Sequence, residues 1–148
     1  MRDGRRSAFE HRISFLPDLD ESGTAMNSMP TRTPKPPYYA VIFVAKLRDC
    51  DLSEYFERVE ALTKRAWGFG FMGEDAIRLE DGRFIGIQYW PTLDKIAHWR
   101  RDFEHGIAID GGWKLWYEYY ELRVARVESA RSFYPDGKLS THAAGDEA

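Results

Sequence analysis

His105 is the side chain best suited to moving a proton, because imidazole changes charge near neutral pH. On an ideal helical wheel it lies roughly 180° from Ile96, so it reaches an interior only where Gly106 kinks the helix. Trp90 closes an apolar segment immediately before Pro91 and could turn one ring face to a cleft. Trp99, Trp116 and Tyr117 extend this aromatic character. With Trp113, Tyr119 and Tyr120 they offer a flat ligand stacking surfaces and phenolic hydrogen bonds. The candidate pocket is therefore Trp90, Trp99, Trp116 and Tyr117, with His105 as candidate acid-base group. Burial in a core or an interface accounts for such rings as well. Arg123 and Arg126 fall on opposite faces of a strand, so only one of them can face a given cavity and stabilise a phenolate there.

Other chemistries are excluded by spacing and charge. His98 lies off the apolar stripe of its helix, His11 and His142 lie in the terminal stretches, and no His pair has metal-ligand spacing, so no metal is expected. Cys50 is the single cysteine, which rules out an internal disulfide and a cysteine zinc site. The run from Gly68 to Gly73 resembles a glycine-rich phosphate loop but precedes a strand instead of opening a helix, which argues against nucleotide binding. A net charge of -3 and a pI near 5.8 argue against a nucleic-acid partner. No apolar run approaches the roughly 20 residues of a membrane span, and the Arg5 and Arg6 pair precedes no export signal. The cytoplasm is the expected location.

The elements that would position these residues are legible from periodicity. Residues 38–47 are β-branched and aromatic on both faces, which predicts a covered central strand. Asp51 with Glu54 predicts a capping box, followed by a helix whose apolar stripe is Leu52, Tyr55, Phe56, Val59, Leu62 and Ala66 and whose exit is left-handed at Gly68. Residues 71–79 and 83–90 flank Glu80-Asp81-Gly82, a hairpin signal, because glycine accepts positive φ. Thr92 can cap a second helix bearing Leu93, Ile96, Trp99 and Phe103, with an interruption at Gly106. A short helical piece through Trp113 and Trp116 precedes a last strand over 119–127.

The order β-α-β-β-α-β predicts an α+β, ferredoxin-like domain over residues 37–128, with two helices on one face of a four-stranded antiparallel sheet. Apolar residues occupy both alternation sets of the strands. The second face should therefore be hydrophobic, and a homodimer would cover it. Residues 1–36 hold Pro17, Pro30, Pro34 and Pro36 and no sustained periodicity, so they read as an extension, with a small apolar cluster at Phe9, Ile13, Phe15 and Leu16. Residues 129–148 read as a C-terminal tail.

The residues from Pro36 to Phe43, Gly86-Ile87-Gln88-Tyr89-Trp90, Ile96, Trp99, Glu104-His105, Ala108, Gly112, Trp116-Tyr117, Tyr120 and Arg126-Val127-Glu128 resemble the antibiotic biosynthesis monooxygenase domain family. The resemblance implies a dimeric α-β barrel and, by one branch of the family, oxidation of phenolic polycyclic molecules with molecular oxygen and no cofactor. It also includes a haem-degrading branch. Trp90 matches that branch's pocket Trp, but Ala45 or Lys46 stands where it keeps an Asn, and Ile109 falls where it keeps its iron-ligating His. Haem degradation is disfavoured. The expectation is a monooxygenase-like oxidoreductase acting on a small aromatic or phenolic molecule without a cofactor. The alternative is a non-catalytic binding or stress-related dimer of the same fold.

Overall fold

The computed structural model of the chain describes residues 29–108 and 112–144. His11, the apolar cluster at residues 9–16, Ile109 and the side chain of Trp113 lie outside the described residues. The element order is β1 (Tyr38–Leu47), α1 (Ser53–Gly68), β2 (Gly73–Arg78), β3 (Arg83–Trp90), α2 (Leu93–Ala108), a short α3 (Gly112–Trp116) and β4 (Tyr117–Val127). The strands form one antiparallel sheet in the order β2-β3-β1-β4. This is the ferredoxin-like α+β arrangement, with the same fold class and strand count that the periodicity predicts.

Alternation along β1 turns Val41, Phe43, Ala45 and Leu47 towards the helices. They meet Tyr55, Phe56, Val59, Leu62 and Ala66 of α1, and Ile96, Trp99, Phe103 and Ile107 of α2, in one core. Every member of the predicted α1 stripe is buried. The pairs Glu54 with Arg58 and Glu60 with Lys64 close on its outer surface at i,i+4. Thr92 caps α2 as expected, its Oγ1 accepting from the Lys95 amide at 3.2 Å. At the β2–β3 turn Gly82 has φ of +92°.

Four expectations are corrected. No capping box forms, because the Asp51 carboxylate accepts from both the amide and the hydroxyl of Ser53, and helical geometry begins after Leu52 with no side-chain cap. The left-handed glycine after α1 is Gly70, with φ of +100°, not Gly68. Gly106 does not interrupt α2, which continues to Ala108. Its lack of a side chain admits Leu62, whose Cδ2 would lie 3.1 Å from a Cβ there, and its carbonyl accepts from Arg58. Finally, the C-terminal stretch is not merely a tail, since β5 (Ser129–Phe133) and β6 (Leu139–Ala143) pair as an antiparallel hairpin.

The segment just before residue 37 contacts the domain. The Thr31 amide donates to Asp75 at 2.7 Å and its hydroxyl to the Glu74 carbonyl at 2.9 Å, so this segment fastens to the edge strand β2. The Arg32 guanidinium lies over the Tyr134 ring, joining the segment to the residue after β5. The sheet face away from the helices carries Ile42, Val44, Ile77, Ile85 and Ile87, of which Ile77 is 74% and Ile85 51% exposed. No helix among the described residues is long and apolar enough to cross a membrane.

Leu62 is 1% exposed and lies against Gly106 where α1 meets α2. Leu62→Ala should lower stability by about 2 to 5 kcal/mol, read from urea unfolding curves, because a cavity opens where neither helix can close in.

Candidate functional site

The β2–β3 register decides which polar groups enter the layer between sheet and helices. Glu74 pairs with Gln88, Ala76 with Gly86 and Arg78 with Phe84, and these pairs share the face that carries Trp90. Asp75 and Ile77 consequently point to the other face. Two adjacent carboxylates thus have opposite environments. Asp75 accepts from the Tyr89 hydroxyl and the Thr31 amide, each at 2.7 Å. Glu74 is buried, 8% exposed, and its Oε2 has no hydrogen-bond partner among the described residues.

Burial pushes the Glu74 carboxyl up to about 8; the nearby Arg78 guanidinium opposes the rise and Asp75 adds to it. Burial lowers Arg78 to about 10, with Glu74 and then Tyr55 opposing the change, and its Nε is also without a partner among the described residues. The hydroxyls of Tyr55, on α1, and Tyr117, at the start of β4, are hydrogen-bonded at 2.7 Å in the core. Burial raises both phenols well above their ordinary range, and Tyr55 feels Glu74 and Arg78 as well. Gln88, 2% exposed, accepts from the Trp90 indole at 3.4 Å. Glu74, Arg78, Gln88 and Tyr55 therefore form a sparse polar group inside an apolar layer.

Aromatic rings share this layer with it. Trp90 touches Phe71 and Trp99, with ring centres 5.5 and 5.7 Å away, and Trp99 touches Phe103 at 5.2 Å. Trp116 and Tyr117 sit at the far end, 5.7 and 5.5 Å from Tyr55. Phe43 links the two ends through Phe103 and Tyr117. All four expected pocket residues lie in this one layer, and all are buried. An open cleft of about 320 Å³ lies between α2 and β4, lined by Arg100, Phe103, Glu104, Tyr120, Glu121 and Leu122. Phe103 and Tyr120 join it to the aromatic layer through Phe43. Burial, then Glu104, raises the Tyr120 phenol, and Arg100 opposes this.

His105 is not brought to either place. With α2 unbroken at Gly106 it stays exposed, as the helical wheel requires. His98 stands on the exposed side of the same helix, stacked on Phe69. Haem does not fit these residues, since neither His of α2 faces the interior and Trp90 is enclosed by Phe71 and Trp99. Among the described residues no group of three or more His, Cys, Asp and Glu could hold a metal ion.

Glu74, Arg78, Gln88 and Tyr55 are absent from the candidates that the sequence suggests. A signal for two of them exists. Alternation back from Trp90 turns Gln88 inward, and the Asp-Gly turn then sets Glu74 opposite Gln88.

The chain is 44% identical over 105 residues to the uncharacterized Bacillus subtilis protein YqjZ, a match covering 70% of this chain and 90% of that protein. No protein-family model matches the chain. Among solved structures it is similar to PA3566 of Pseudomonas aeruginosa, at 12% identity and a TM-score of 0.49, over 64% of this chain and 98% of that one. It is similar to a candidate antibiotic biosynthesis monooxygenase of Nitrosomonas europaea, at 14% and 0.47, over 70% and 97%. It is also similar to SnoaB, a cofactor-independent oxygenase of Streptomyces nogalater, at 14% and 0.44, over 68% and 99%. These likenesses concern the arrangement of strands and helices, and no activity comes to this chain from them.

A carboxyl raised from 4.5 to about 8 keeps its proton in the folded state at pH values where the unfolded chain has lost it. The folded state binds more protons between those values, so Glu74's contribution is fully present below about pH 4.5 and is lost as pH rises through about 8. At about 1.4 kcal/mol per pKa unit the loss is at most about 5 kcal/mol. Urea unfolding at pH 5 and pH 9 should show the protein weakening, and Glu74→Gln, which carries no titrating proton, should flatten that difference.

Proposed function

The chain belongs to the family of the Bacillus subtilis protein YqjZ, and on that premise we propose that it is a monooxygenase-like oxidoreductase acting on a phenolic aromatic molecule. The observation that carries this reading is Glu74, an inward carboxyl with an orphaned oxygen in a layer of aromatic rings. With its carboxyl held near 8, about one-tenth of Glu74 is ionised at pH 7 and more above it, and that ionised fraction is a stronger base than an ordinary exposed Glu. Its burial also keeps water from the group it would serve.

An electron-rich anthrone, the keto tautomer of a polycyclic phenol, needs no cofactor for its oxidation. Loss of a proton from the ring CH2 leaves a delocalised anion, one atom of molecular oxygen becomes the carbonyl oxygen at that carbon, and the other leaves as water carrying that carbon's second hydrogen and the proton returned by the base, so that the substrate supplies all four electrons. The chain's task is to take that proton at an ionised Glu74 oxygen, to exclude water, and to hold the flat ring system in the aromatic layer at the β2–β3 side of the sheet, away from the cleft beside β4 at the opposite edge. Trp90 and Trp99 shape the layer, and the Trp116 and Tyr117 rings fix Tyr55 beside it. His105, exposed on α2, has no part in the step.

Purified metal-free protein should accelerate oxygen uptake by anthrone. Glu74→Gln should lower the rate about 100-fold or more, the usual worth of a general base, and His105→Ala should leave it unchanged. Tight binding of a phenolic panel without acceleration over buffer would instead favour the non-catalytic binding dimer.

We also propose a homodimer closed through the helix-free sheet face. Ile77 and Ile85 would otherwise stand in water beside Ile42, Val44 and Ile87, an apolar surface that a second sheet of the same kind covers. Light scattering should give about twice 17.2 kDa, and a monomer at micromolar concentration would remove this part of the proposal.

A further inference from the structure

Gly86 lies in β3, an interior strand between β2 and β1, where glycine is unfavourable because it gives up conformational freedom and packs nothing. Its backbone does not require glycine, since the described glycines with positive φ are Gly70, Gly73, Gly82 and Gly137. Space explains it. A Cβ at Gly86 would overlap Glu74 Oε1, and the next neighbours are the Glu74 Cδ at 3.5 Å and the Ala76 Cβ at 3.9 Å. The bare backbone of β3 is thus the floor on which the carboxyl rests. With Oε1 laid on this floor, Oε2 is the oxygen left without a partner.

We propose that Gly86 is a positioning residue, whose missing side chain seats the Glu74 carboxyl inside the aromatic layer with one oxygen free for a substrate proton. This deepens the reading of Glu74 as the base and rests on it. The atom that an added methyl would displace is the end of a flexible side chain, so the sheet itself has no reason to open. The displaced carboxyl must move out of its seat, nearer to Arg78 or towards water, and either change returns it towards ordinary carboxylate behaviour.

The test follows Glu74 by carbon NMR in protein labelled at Glu and Asp side-chain carbons, with Glu74→Gln identifying the resonance and oxygen uptake by anthrone measured in parallel. Gly86→Ala should move the Glu74 midpoint down by a pH unit or more and slow oxidation at least tenfold. Adding Glu74→Asp to Gly86→Ala shortens the displaced side chain, and should recover a raised midpoint and most of the lost rate, although Glu74→Asp alone lowers the rate. An unmoved midpoint in folded Gly86→Ala overturns the inference, as does a moved midpoint that the shorter acid fails to restore. If Gly86→Ala does not fold, Gly86→Ala with Glu74→Ala decides: folding of the pair supports the steric seat, and failure of the pair overturns it. A moved and restored midpoint with no oxidation by any variant, wild type included, sinks the oxygenase reading and leaves the seat intact.

Discussion

The pairing of β2 with β3 is the constraint on which the candidate site depends. Side chains alternate across a strand with a period of two, so a slip of one residue would exchange Glu74 for Asp75 on the helix side. The tight turn ending at Gly82 holds the register, and the Thr31 hydrogen bonds to Asp75 and to the Glu74 carbonyl fasten the far end of the same strand. Asp75 is well served where it is, with a tyrosine hydroxyl and a backbone amide as donors. Glu74 is the carboxyl left to burial, and burial is costly enough to keep its proton on.

Around that group the fold supplies large rings and few dipoles. The rings give the layer its stability by removing apolar area from water, and they make it a poor medium for charge. Stability and reactivity therefore come from one arrangement. A layer dry enough to hold α1 and α2 on the sheet is also dry enough to shift a carboxyl, two phenols and a guanidinium together.

Periodicity made most of the fold legible, because the stripe from Leu52 to Ala66 and the positions Ile96, Trp99 and Phe103 recur at the spacing that turns them all towards one core. Where the expectation failed, a non-local or competing contact decided. Ser53 captured the Asp51 carboxylate that would have capped α1, and Leu62 of another helix gave Gly106 its purpose. The β5–β6 hairpin is not legible in the sequence because Ser129–Phe133 and Leu139–Ala143 carry no apolar alternation, and part of what holds this region is Arg32, a residue far back in the chain. For the site, aromatic size drew attention to Trp90, Trp99, Trp116 and Tyr117, yet the same size is what buries them. Glu74 and Gln88 gave no such signal. An isolated Gly73-Glu74-Asp75-Ala76-Ile77-Arg78 reads as a solvent-washed edge, and only its pairing with β3 reveals which of its polar residues lie inside.

The proton on Glu74 also changes the accounting of charge for the molecule as a whole. The formal value of -3 counts every carboxyl as ionised, but a carboxyl held near 8 is mostly neutral at pH 7, so the folded chain carries close to -3 + 1 = -2. Folding at neutral pH is accordingly coupled to the uptake of nearly one hydrogen ion from the buffer, and the heat of the transition contains the ionisation enthalpy of whichever buffer gives it up.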